Sequence, residues 1–180
     1  ERLHVAAHSM GNRLILEAID RFDGSSPDGK AKLFHHAVMA APDVYVNIFK
    51  TASPAFQRRT PRVTIYASNK DTALLCSRKV HGGNRRLGEA GPDIFVASGL
   101  ETIDATEAEP TAPFLSTDRW PALGWITSPC DKGHGYFMRS VRLQADLQNL
   151  ILTDLPPASR PGLQTKAKDG VDYWAFRPTE

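Results

Sequence analysis

The sequence predicts an α/β fold built on a mostly parallel sheet with helices on its flanks. Three observations carry that expectation. Short apolar runs at 3–7, 33–40 and 62–67 each end in small or polar residues, and a segment of helical periodicity follows each one. Alternation of this kind needs crossovers that bring every strand back to run in the same direction. The 180 residues, 41% hydrophobic and 23% charged, suffice for one domain with a substantial core but not comfortably for two.

The first strand, with Leu3, Val5, Ala6 and Ala7, runs straight into Ser9. The helix after it repeats Leu14, Ile15, Ala18, Ile19 and Phe22 at helical spacing, with Glu17 and Arg21 paired on its outer face. A loop of Asp, Gly, Ser and Pro at 23–29 ends that helix. The second strand, 33–40, closes at Ala41-Pro42-Asp43, and a short helical segment is expected at 44–49. The third, 62–67, is rich in β-branched and aromatic residues and stops at Ser68-Asn69-Lys70-Asp71. A helix over 72–80 should follow, with Arg78, Lys79 and His81 at its negative end and Gly82-Gly83 stopping it. One strand or two are expected across 94–96 and 100–104.

From 106 to 132 Pro, Thr, Ser and Asp dominate, with Phe114, Trp120 and Trp125 scattered among them. Neither period is sustained, so this reads as a long excursion. Gly133-His134-Gly135 precedes a last helix striped by Phe137, Val141, Leu143, Leu147, Leu150 and Ile151, which Pro156-Pro157 ends. The domain is therefore expected over 1–155, followed by a polar tail over 156–180 with a short docking strand at 171–176.

A net charge of +2 gives no argument for nucleic acid or an anionic membrane as partner, and no apolar run is long enough to span a bilayer. Cys76 and Cys130 supply neither a disulfide framework nor metal-ligand spacing, and read as small apolar residues. Because Glu1 leads almost directly into a buried strand, the chain reads as part of a longer one, and its compartment stays open.

The chemistry centres on Ala7-His8-Ser9-Met10-Gly11, between the first strand and the first helix. A strand–turn–helix with small residues two positions either side of a serine is the context of a nucleophile elbow. Ser9 Oγ would stand above the strand end near a helix N-terminus, and the Met10 backbone N–H would be one oxyanion donor. The plainer reading makes Ser9 a helix N-cap.

A serine nucleophile needs a base, and the base needs an orienting carboxylate. Of six histidines, His4 lies in the first strand and His8 should point away from the Ser9 hydroxyl, in a packing role. His35 and His36 fall within the second strand as core or surface-contact residues, and His81 suits a helix C-terminus. His134, between two glycines on a loop after the last strand of the alternation, is free to hang over the carboxyl edge of the sheet. Asp71, directly after the strongest strand, is the first choice of acid. Asp43 is the alternative, with a competing role as N-cap of the 44–49 segment; Asp104 is a weaker third. The order Ser9, Asp71, His134 is Ser…Asp…His, that of α/β-hydrolases.

The segments 7–13, 40–44, 64–68, 71–74 and 133–137 together resemble a bacterial α/β-hydrolase family of unknown function with esterase- and lipase-like character. The likeness runs to about residue 153 and again at Tyr173-Trp174. It implies a carboxylic-ester hydrolase fold with Ser9, Asp71 and His134 at the triad positions. If it holds, this chain is the C-terminal part of that fold. The N-terminal strands, and the loop that gives the second oxyanion N–H, would then be missing, so these residues alone are expected to be poorly active.

The expected chemistry is acyl transfer from a small-molecule ester or thioester to water, with no metal and no organic cofactor. An acyltransferase would use the same triad with an alcohol in place of water. A catalytically silent hydrolase-fold binding module, using Trp120, Trp125 or Trp174 at an interface, is the rival.

Overall fold

A computed structural model of the chain describes residues 2–25, 32–108, 130 and 133–178. Strand β1 (His4–His8) leads into helix α1 (Gly11–Ser25), β2 (His36–Ala40) into α2 (Val46–Arg59), and β3 (Arg62–Ala67) into α3 (Thr72–Val80). Then come β4 (Glu101–Asp104), α4 (Tyr136–Arg139), α5 (Val141–Thr153), β5 (Leu163–Lys168) and β6 (Val171–Phe176). The six strands form one sheet in the order β1-β2-β3-β4-β6-β5. Every pairing is parallel except the β5–β6 hairpin. The α/β class and the parallel sheet expected from the alternation are what the chain adopts.

Side-chain alternation splits the core into two layers. On one face Ala37, Met39, Val63 and Ile65 pack against Leu16 and Ile19 of α1, Phe49 and Phe56 of α2, and Leu87. On the other, Val38, Ala40, Tyr66 and Ile103 pack against Tyr136 and Phe137 of α4 and Leu143 and Leu150 of α5. β2 is buried at every position, as a central strand covered on both faces must be.

Several boundaries differ from the sequence reading, each for a local reason. β2 begins at His36 and not at 33, because Leu33 and Phe34 send their N–H groups to the Arg59 carbonyl. The short helix expected at 44–49 is the start of a 14-residue helix that carries Pro54 in its interior. Residues 94–96 form no strand, leaving β4 as the one strand of that pair. The last helix is two: Ser140 breaks the stripe, and its Oγ caps α5 by accepting from Leu143 N at 3.2 Å. The stretch read as a polar tail carries the β5–β6 hairpin, whose β6 pairs with β4 through Ile103 and Asp104. That hairpin places the expected docking strand, 171–176, inside the sheet.

The reading of the two cysteines is corrected. Cys76, on α3, and Cys130 are joined in a disulfide that closes a 54-residue separation, with Cα atoms 5.8 Å apart. Nothing in their sequence spacing announces it; the fold alone brings α3 beside the approach to His134. Of the excursion at 106–132, only the short turn Thr106–Ala108 and Cys130 are described, so Phe114, Trp120 and Trp125 lie outside the described residues. Among the described residues no helix is long and apolar enough to cross a membrane.

Candidate active site

Ser9 follows β1 directly and holds φ at +55°, a left-handed conformation that a non-glycine residue adopts at a cost of about 1–2 kcal/mol. The surroundings hold it there. Ser9 N donates to Ala40 O at 3.0 Å, and Ser9 O accepts from Asn12 N and Asp43 N, both at 3.2 Å. Buried Asn12 adds a clamp: its Nδ2 donates to Ser9 O at 3.0 Å and reaches Ala7 O and Ala40 O at 3.3 Å. The tight turn expected between strand and helix is present. Its glycine is less constrained than the motif suggests, since a Cβ on Gly11 would only touch Ala7 Cβ at 3.9 Å.

Asp71 follows β3 and its carboxylate has two partners. Oδ1 caps α3 by accepting from Leu74 N at 3.1 Å, and Oδ2 accepts from His134 Nδ1 at 2.8 Å. Asp71 is 1% exposed, whereas the His134 side chain keeps 22% of its surface. The contact needs glycine at the preceding position. Gly133 sits at φ +78°, where a Cβ would stand 2.1 Å from Lys70 O. The Gly-His-Gly triplet is therefore a device for laying a histidine loop flat against the end of β3.

His8, expected from alternation to pack with its side chain turned from the Ser9 hydroxyl, does more than pack. Its Nε2 lies 3.1 Å from the His134 carbonyl, and the two rings stand 4.6 Å apart. Burial, followed by the neighbouring His134, holds the His8 pKa below the ordinary 6.5. In the neutral form Nε2–H donates to that carbonyl and props the loop from beneath.

The alternative acid is engaged elsewhere. Asp43 receives Arg13 Nη2 at 2.7 Å, Ser77 Oγ at 2.9 Å and the Arg86 guanidinium at 3.1 Å. The expected N-cap role of Asp43 is not what it does, because Tyr45 stands at the N-cap of α2. Its ion pairs instead anchor the first turn of α1 to the segment beyond β2. Asp104 bonds the Thr106 N–H next to it at 3.0 Å. His81 stays at the α3 C-cap, its Nδ1 2.8 Å from Ser77 O.

The carboxyl ends of β1 and β3 and the loop before α4 thus bring Ser9, Asp71 and His134 to one rim of the sheet, where an α/β fold collects its reacting groups. Met10, half-exposed at 61%, offers its backbone N–H at the start of α1. A cleft of about 690 Å³ between α1 and α2 is lined by Arg13, Leu16, Tyr45 and Ile48, and none of the three residues above borders it. Sequence reasoning missed Asn12, which carries no signal beyond its polarity. It also missed the cysteine pair and the supporting role of His8.

Comparison with known proteins agrees with the architecture. A family model described as "Alpha/beta hydrolase of unknown function (DUF900)" matches residues 1–121, more than half of the chain. No curated protein and no solved structure matches. The chain belongs to this family of α/β hydrolases of unknown function.

Proposed function

We propose that this hydrolase cleaves a carboxylic ester or thioester of a small molecule through an acyl-enzyme on Ser9. The observation that carries the reading is the 2.8 Å bond from His134 Nδ1 to buried Asp71. With Nδ1–H donating to Asp71, the proton sits on Nδ1 and Nε2 is the basic nitrogen, the tautomer a general base requires. In the mechanism, Nε2 takes the Ser9 proton as Oγ attacks the carbonyl carbon, and Met10 N–H donates to the oxyanion. The imidazolium then protonates the leaving alkoxide or thiolate. His134 next removes a proton from water, which attacks the acyl-enzyme and frees the acid and Ser9. The Asp71 carboxylate holds the ring in place and stabilises the imidazolium.

The left-handed φ of Ser9 supports the same reading, since an ordinary N-cap has extended backbone and no need of strain. The assay is hydrolysis of p-nitrophenyl esters of graded chain length by the purified protein and its Ser9→Ala variant. Turnover should fall at least ~1000-fold in the variant. Turnover above the uncatalysed rate that is equal in the two would reject Ser9 as nucleophile, and no turnover by either would favour the silent binding module.

A further inference from the structure

The opposite edge of the sheet carries a cluster that the proposed reaction does not use. His4 opens β1, His36 opens β2 and Arg62 opens β3, and parallel pairing sets His4 beside His36 and His36 beside Arg62. His35 immediately precedes β2. Below them α5 ends, and Asp154, its C-cap in the left-handed conformation at φ 57°, turns the chain back toward the strand starts. The length of β1 separates this edge from Ser9, on the order of 15 Å.

Two imidazoles converge there on one carboxylate. His35 Nε2 is 3.0 Å from Asp154 Oδ2, and His36 Nε2 is 2.9 Å from Oδ1. One ligand atom from each of the three residues lies within 4.8 Å of the others. The His4 ring packs 5.0 Å from His36 and 5.6 Å from His35. The His36 side chain is 1% exposed, and its Nδ1 and that of His4 are buried with no hydrogen-bond partner. Neutralising Asp154 does not require this arrangement. Arg62 already donates to its carboxylate and carbonyl, and Arg2 approaches to 3.6 Å. Two imidazoles on one carboxylate, with a third ring packed against them and the Nδ1 atoms of His4 and His36 buried and unsatisfied, exceed what a fold needs merely to neutralise Asp154.

We propose that His35, His36 and Asp154 bind a divalent transition-metal cation, zinc as the first candidate. Two imidazoles and a carboxylate are the nitrogen and oxygen donor set that zinc, nickel and cobalt accept. Tetrahedral bonds of about 2.0–2.1 Å set donors about 3.3 Å apart, so the present 2.9–3.0 Å spacings need to open by a few tenths of an ångström. The fourth position is left to water or to His4. The Arg62 guanidinium on Asp154 opposes the ion, which makes this a weaker site than a closed cysteine-rich one. Its role is structural: it ties the end of α5 to the start of β2.

The test is calorimetric titration of the tag-free, metal-stripped protein with Zn²⁺, with Co²⁺ absorption reporting the coordination. Wild type should bind one ion per chain and unfold at higher temperature when it is saturated. His35→Ala decides the matter, because that side chain is 30% exposed and its loss leaves Arg62 on Asp154. Affinity should fall more than ~100-fold in His35→Ala, since even outer partners of metal ligands cost 10- to 100-fold. It should be unchanged in His134→Ala, which separates this site from zinc caught at the other rim. No stoichiometric binding by wild type, or binding that survives His35→Ala, overturns the proposal.

Discussion

Replacing Gly133 by alanine probes how the histidine loop is seated. The new methyl would lie 2.1 Å from Lys70 O and 2.9 Å from Lys70 C, where real contacts stay beyond 3.0 Å. The two backbones must therefore part by nearly 1 Å, at the residues next to His134 on one side and Asp71 on the other. The strain falls on the 2.8 Å bond between them. Misplacement of a positioned group by about 1 Å costs on the order of 100-fold in rate, or about 2.7 kcal/mol. The positive φ adds about 1–2 kcal/mol of lost stability. Steady-state hydrolysis of a p-nitrophenyl ester should show kcat down about 100-fold with KM little changed, in a protein that still unfolds cooperatively. Gly135→Ala is the control: the nearest atoms its methyl would meet belong to the flexible Arg139 side chain, from 3.1 Å, which can swing aside. A folded Gly133→Ala enzyme within a few-fold of wild type would refute the claim that this glycine sets the Asp71–His134 contact.

Three further outcomes follow from the same geometry. Cys76→Ser with Cys130→Ser releases a 54-residue separation, and chain entropy puts the loss at about 4 kcal/mol; denaturant midpoints should drop accordingly, and added reductant should destabilise wild type but not the double variant. Asp71→Asn should lower kcat by about 10,000-fold, whereas Asp43→Asn should mainly destabilise, by about 3 kcal/mol, because it strips Arg13 and Arg86 of their partner; similar kcat losses in both would argue against Asp71 as the orienting acid. His8 gives a pH signature. Its folded pKa lies below 6.5, so the unfolded chain takes up the proton first, and its contribution to stability is present above pH 6.5 and fades as pH falls below it. Urea midpoints between pH 7.5 and 5 should therefore decline less steeply in His8→Gln, and identical slopes would dismiss the neutral prop.

Much of the fold was legible because burial writes itself in periodicity. The run 62–67 reads as the clearest strand of the chain, and β3 is buried at five of its six positions. Ser9 and His134 stood out because small residues flank both, and small residues mark backbones in close approach. What local pattern could not encode was pairing across distance. Cys76 and Cys130 look like ordinary apolar residues until α3 lies beside the histidine loop. His35 and His36 look like strand residues until Asp154 arrives from a helix more than a hundred residues away. Asp43 looks like a cap because caps are local, whereas its partners Arg13, Ser77 and Arg86 are not. Ser140 broke a stripe that ran unbroken in sequence, because a serine within an apolar pattern gives no sign of which helix it will cap.

The most direct measurement is the site of modification by a fluorophosphonate probe, read by peptide mass spectrometry on the protein and its His134→Ala variant. One phosphonyl adduct is expected, on Ser9, formed at a rate that collapses when His134 is removed. An adduct elsewhere, or labelling of Ser9 indifferent to His134, would contradict it.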